Sequence, residues 1–108
     1  MKRIIRKIGS NRGERRIWIE GKSLTEFDWN KGQLYVKEVH GRTYGTLASC
    51  AVIKLFKDST KGKLKIAGGE DRPVIDLCGK YVTNTFSGFE KVSVKIYHDA
   101  IIIKGDLA

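Results

Sequence analysis

The stretch RPVIDLCGKYVTNTF, residues 72 to 86, sets the reading of the whole chain. It opens as an alternating strand, reaches a Gly-Lys pair and then turns polar. RRIWIEGKSLTEF, residues 15 to 27, has the same shape. A shift of 58 positions lays Lys7–His40 on Lys65–His98 without a gap. Ile8 meets Ile66, Ile17 meets Ile75, Gly21 meets Gly79, Lys22 meets Lys80 and Thr25 meets Thr83. Further on, Val36 meets Val94, Lys37 meets Lys95 and His40 meets His98. Internal similarity at a fixed period signals repeated structural units. AVIK from 51 then resembles AIIIK from 100, an offset of 49, so the first copy carries about nine extra residues within HGRTYGTLASC. Loops tolerate added length, which places an insertion over 41–50 at a hairpin tip.

Each copy reads as a strand, a Gly-containing turn, an alternating strand, a Gly-Lys turn, a short helix and a closing hairpin. Ile17 and Ile19 point to one side of their strand, Trp18 and Glu20 to the other. Ser23 and Glu26 form an S-x-x-E capping box, which predicts a helix at SLTEF. YVTNTF lacks the box, which predicts only a helical turn there. The chain is read as a single domain, 1–108, with repeat 1 at about 1–58 and repeat 2 at about 59–108, joined near DSTKGK. One unit of about 50 residues buries too little apolar surface to stand alone. Two units that close around a shared core would remove sheet edges. The expected molecule is a monomeric pseudo-dimer, with a homodimer as the alternative.

The order of elements resembles the AbrB/MazE swapped-hairpin family. The second copy resembles SymE-like proteins most closely, through Pro73, Ile75, Leu77, Gly79, Lys80, Tyr81 and Val82, with Phe86 and VSV at 92–94 behind them. The first copy keeps Ile17, Ile19, Gly21, Lys22 and Leu24, lacks the Pro and has Ser23 in the aromatic position. The resemblance implies a mainly β fold, a swapped-hairpin β-barrel with short helices, here built from two tandem repeats. It also implies DNA binding, as in AbrB-like regulators and antitoxins, or the RNA-cleaving toxin role ascribed to SymE-like proteins.

The chain has a formal net charge of +9 and a pI near 9.7, which favours a polyanionic partner. Its N-terminus carries charges without an apolar signal segment, and no apolar run approaches the roughly 20 residues a membrane helix needs. The expectation is a cytoplasmic protein with no membrane partner. Cys50 and Cys78 lie far apart with no metal-ligand spacing, and read as small, partly buried apolar residues. No phosphate loop, nucleophile elbow or metal constellation is present, so no cofactor and no catalytic residue are assigned. The two histidines, His40 and His98, are the only candidates for a ribonuclease's acid/base groups.

Binding is the stronger reading. Arg3, Arg6 and Lys7 fall on the first strand, Arg12 in the turn, and Arg15 and Arg16 at the start of the next strand. Folding that hairpin is expected to gather them on one surface, where they would neutralise phosphates and release counterions. Lys22, Lys65, Arg72 and Lys80 complete the predicted nucleic-acid contacts, the last three as a second, weaker patch. Duplex DNA is favoured and RNA is the alternative. Trp18 is expected to face outward, either stacking on a base or packing against the insertion. Phe27, Trp29, Phe86 and Phe89 are expected in the core. Tyr44 is the expected exposed aromatic of the 41–50 insertion, which is itself a candidate contact for a protein partner.

Overall fold

The computed structural model describes residues 1–40 and 51–106. The predicted insertion, with Tyr44 and Cys50, therefore lies outside the described residues. The elements run β1 (Lys2–Lys7), β2 (Gly9–Asn11), β3 (Glu14–Glu20), α1 (Lys22–Thr25), β4 (Leu34–His40) and β5 (Val52–Lys57). They continue with β6 (Leu64–Lys65), β7 (Ala67–Gly68), β8 (Pro73–Cys78), α2 (Lys80–Thr85), β9 (Lys91–Ile96) and β10 (Ala100–Asp106).

The strands form two antiparallel sheets, ordered β1-β9-β10-β5-β4-β6 and β2-β3-β8-β7. The expected closed barrel is not what they build: both sheets keep edge strands. The physical reason lies at two bends. The chain leaves β1 and enters β2 through Ile8, whose N–H donates to the Glu90 carbonyl at 2.9 Å. It passes from β6 to β7 through Ile66, whose N–H donates to the Gln33 carbonyl at 2.9 Å. Both isoleucines are buried. A strand that bends in this way serves two sheets in turn, which makes corners instead of a continuous ladder.

Neither sheet order changes when β1–β5 with α1 are exchanged for β6–β10 with α2. The registers refine the ungapped alignment. Ile17 lies opposite Leu77, and Ile19 opposite Ile75, as an offset of 58 requires. Lys7 lies opposite Lys91, however, whereas Lys65 lies opposite Leu34. This places Leu34 against Lys91, an offset of 57. From the helix N-cap glycine to the next strand the second copy is one residue shorter, Gly79 to Lys91 against Gly21 to Leu34, so Val36 corresponds to Ser93 and His40 to Tyr97. The pairings of Val36 with Val94 and His40 with His98 do not survive in three dimensions. A slip of one residue exchanges the two faces of a strand.

The predicted Gly-Lys turns mark the helix starts. Gly21 (φ 88°) and Gly79 (φ 146°) are the N-caps, both in a region that L side chains rarely adopt. Neither helix has a side-chain cap. The S-x-x-E box does not form, because the glycine turn already starts α1 before Ser23. The helix without the box, α2, is the longer of the two, at 6 residues against 4. Thr83 fixes it, accepting the Arg15 N–H at 2.9 Å and donating to Glu14 Oε2 at 2.6 Å.

Between the sheets lies one core. Ile17, Ile19, Ile75 and Leu77 of the small sheet meet Ile53, Leu55, Val92, Val94, Ile101 and Ile103 of the large one, all fully buried. Trp29, Phe86 and Phe89 are buried as expected, and Phe27 packs at the margin. Trp29 Nε1 donates to the Tyr97 carbonyl at 2.7 Å, which satisfies its one polar group.

Tyr35 in the core and Tyr81 at its margin carry a pH signature. Loss of solvent raises the Tyr35 and Tyr81 phenols to about 12, with a smaller contribution from neighbouring negative charge. A free phenol titrates near pH 10. Between about pH 10 and 12 the folded chain therefore holds protons that the unfolded chain releases. Stability should be constant through these groups below pH 10 and fall as pH rises towards 12. An ultraviolet titration should find two of the four tyrosines ionising only near pH 12 or on unfolding. Ionisation of all of them near pH 10 in folded protein would contradict this.

Candidate nucleic-acid interface

Strand alternation divides the large sheet into a core face and an outer face. Val94 is buried, so its cross-strand neighbour Ile4 also faces inward. The opposite phase carries Arg3, Ile5 and Lys7 on β1 and Lys91, Ser93 and Lys95 on β9. It continues with Ile102, Lys104 and Asp106 on β10, and Val52, Lys54 and Phe56 on β5. One row across the sheet reads Arg3, Lys95, Ile102, Lys54, Glu38. The next reads Ile5, Ser93, Lys104, Val52, His40. A third pairs Lys7, Lys91 and Asp106.

Six cations thus occupy adjacent strands of one face: Arg3, Lys7, Lys54, Lys91, Lys95 and Lys104. With strands about 4.8 Å apart, the row from Arg3 to Lys54 spans about 14 Å. Arg3 Nε donates to Ser93 Oγ at 3.1 Å, which fixes its guanidinium against the sheet. A depression of about 240 Å³ is lined by Arg3, Ser93, Lys95, Ile102, Lys104, Gly105 and Asp106. The ion pairs Arg16–Asp76, His40–Glu38 and His98–Asp28 involve none of the six. The other half of the face, with Leu34, Val36 and Phe56, is apolar and half-buried.

The predicted contacts are dispersed. Arg3 and Lys7 lie on this cationic face. Arg6 is on the same strand with the inward phase, at the rim of the core. β1 does not pair with β3, so the first hairpin does not collect its charges on one surface. Arg15 is committed to the fold: its guanidinium donates to the Phe86 carbonyl at 2.5 Å and to the Phe89 carbonyl, behind the end of α2. Arg16 holds both oxygens of Asp76, at 2.8 and 2.9 Å, and its guanidinium lies 4.3 Å over the Trp18 ring. Trp18 faces outward at 39% exposure, with Arg16 covering one face.

Of the remaining five, four belong to the small sheet and its surroundings. Arg12 is in the β2–β3 turn and Lys80 begins α2; the β3–β8 register puts both at one end of that sheet. Arg72, in the β7–β8 turn, and Lys22, at the start of α1, fall at the opposite end, where Gly21 N–H donates to the Pro73 carbonyl at 3.1 Å. Lys65 is on the far edge strand of the large sheet.

Lys54, Lys91, Lys95 and Lys104 were missed by reading cations as clusters along the chain. Alternation carries the signal. Each sits out of phase with apolar neighbours, as in VSVKI and AVIKL, and strand pairing then assembles them.

The histidines do not form a pair. His40 lies opposite Val52, at the end of the sheet that holds Lys104. His98 follows β9 and adjoins Ala100, whose partner is Phe56. The two ends are roughly 15 Å apart along the strands. His40 Nε2 meets Glu38 Oε1 at 2.5 Å, and His98 Nδ1 meets Asp28 Oδ2 at 3.2 Å with Phe27 beside it. Among the described residues, no group of three or more His, Cys, Asp and Glu is placed to hold a metal ion. Comparison with protein-family models, with curated proteins and with solved structures found no match.

Proposed function

We propose that this protein binds nucleic acid without catalysing a reaction, with duplex DNA as the favoured ligand. The observation that supports this most is the row of cations on β1, β9, β10 and β5. Contacts of this kind neutralise phosphates and need no particular base sequence. A regulatory or toxin–antitoxin role follows from the resemblance of the Gly-Lys units to AbrB-like and SymE-like proteins. The exchangeable order of elements in both sheets supports a single chain acting as its own dimer, a duplicated swapped-hairpin unit.

Binding is preferred to RNA cleavage because the two histidines lie at opposite ends of one sheet. Acid/base catalysis by both requires each within hydrogen-bond reach of the same reacting group. The test is a titration against duplex DNA, single-stranded RNA and buffer alone at two salt concentrations. Duplex affinity should fall steeply with salt. Preference for RNA with cleavage would favour the toxin role, and no binding to either would end the proposal.

A further inference from the structure

The two ends of the large sheet are finished differently. At one end β1 covers β9 along its whole length, from Lys7 opposite Lys91 to Lys2 opposite Ile96. At the other end β6 reaches β4 only at Leu34 and Tyr35. Among the described residues, nothing pairs with the outer edge of β4 from Val36 to His40. The residues that would continue β6 are folded away. Asp58 Oδ1 accepts the N–H groups of Thr60 at 3.0 Å and Lys61 at 2.8 Å, and Gly62 N–H donates to the Asp58 carbonyl at 3.0 Å. A Cβ on Gly62 would stand 2.4 Å from the Asp58 oxygen and 2.8 Å from Leu34 Cβ. This turn is packed too closely onto the start of β4 to be readily traded for a strand.

The open edge has a defined polarity. Leu34's carbonyl accepts from Asp58 N–H at 3.1 Å, on the β5 side. Antiparallel pairing alternates sides, so the N–H and C=O groups of Lys37 and Val39 point to the open side. Unpaired strand edges of this length recruit another strand unless they are blocked. Val39, at 40% exposure, lies on the same face as Lys37, and half-buried Val36 on the opposite one. Lys37, Lys61 and Lys63 surround the adjoining depression of about 260 Å³ with Tyr35, Val36 and Leu64. The local anion, Glu38, faces the other way and is joined to His40.

We propose that the β4 edge from Val36 to His40 takes an extended strand of a partner protein, added antiparallel as β1 is to β9. The strand that fits alternates acidic and apolar residues. Its acidic side chains meet Lys37, Lys61 and Lys63 on the face that Lys37 shares with Val39, its apolar ones lie on the opposite face beside Val36, and its backbone completes the ladder. The acidic contacts lie on the core-facing side of the sheet and the apolar ones on the half of the outer face that holds Val36 and none of the six cations, so the two ligands do not compete for one site.

The test uses the full chain and two fluorescein-labelled eight-residue peptides, one alternating Glu and Val, the other Lys and Val. Anisotropy should show saturable binding of the Glu–Val peptide, with the Lys–Val peptide weaker by about tenfold or more. Val39→Pro removes a donor on the open side while sparing the β5 ladder, and should weaken binding by about tenfold. Lys37→Glu gives up the Lys37 ammonium's place 3.7 Å over the Tyr81 ring but leaves the β5 ladder intact; it should weaken binding by at least as much and gives an answer if the proline variant misfolds. Hydrogen exchange at Lys37 and Val39 should be fast in the free protein and slowed by the Glu–Val peptide. Equal binding of both peptides, indifference to Lys37→Glu, or slow exchange of these two amides in the free protein would overturn the proposal. Slow exchange would show that residues of the chain itself already cover the edge.

Discussion

Replacing Arg3, Lys95 and Lys104 together by alanine is expected to reduce duplex affinity on the order of 100-fold near physiological salt. The estimate rests on counterion release. Each lost phosphate contact removes about 0.9 from the slope of log affinity against log salt, so three remove about 2.7. Between 1 M and about 0.15 M salt that slope corresponds to roughly a hundredfold difference in binding. The three side chains are exposed and belong to neighbouring strands. Their loss should change folding stability by no more than about 0.5 kcal/mol. A triple variant with an unchanged salt slope would remove the large-sheet face from the account, whatever its absolute affinity.

Arg15→Ala should do the reverse. Its guanidinium donates to the Phe86 and Phe89 carbonyls, and its own N–H donates to Thr83. Those two carbonyls flank Phe86 and Phe89, whose rings lie buried in an edge-on pair at 6.4 Å. Alanine removes both charge-assisted bonds from a partly buried setting, where the Phe86 carbonyl keeps the Phe89 N–H at 3.0 Å, at a cost of about 2 kcal/mol. In a domain of this size that corresponds to a fall in melting temperature of roughly 10 °C. Arg15→Lys should recover only part of it, because an ammonium cannot reproduce the two-pronged fork. The salt slope of duplex binding should stay as in the parent chain. A fully stable Arg15→Ala that loses about one unit of slope would return Arg15 to the binding surface.

These two predictions mark where local sequence carried the answer and where it did not. The alternation of Ile17 and Ile19 with Trp18 gave the facing of β3, because a strand has a period of two whatever it pairs with. The burial of Trp29, Phe86 and Phe89 followed from their size and apolar character. Partner choice was beyond local reading. β1 looks like half of a hairpin with β3, yet Arg3 pairs with Lys95, more than ninety residues on. That pairing moves Arg3 and Lys7 to one sheet and leaves Arg12, Arg15 and Arg16 on the other. Arg15 and Arg16 look identical as neighbours in a basic run. Only the fold shows one capping carbonyls behind α2 and the other held by Asp76. The single-residue shift between Leu34 and Lys91 was likewise hidden, since Val36 and Val94 match well as letters but sit on opposite faces.

The most direct test follows backbone amide shifts by NMR while a short DNA duplex is titrated into the full chain. The account predicts that the largest salt-sensitive changes fall on β1, β9 and β10 and at Lys54, centred on Arg3, Lys95 and Lys104. Changes confined to the Arg12 and Arg72 turns, or no change at low salt, would contradict it.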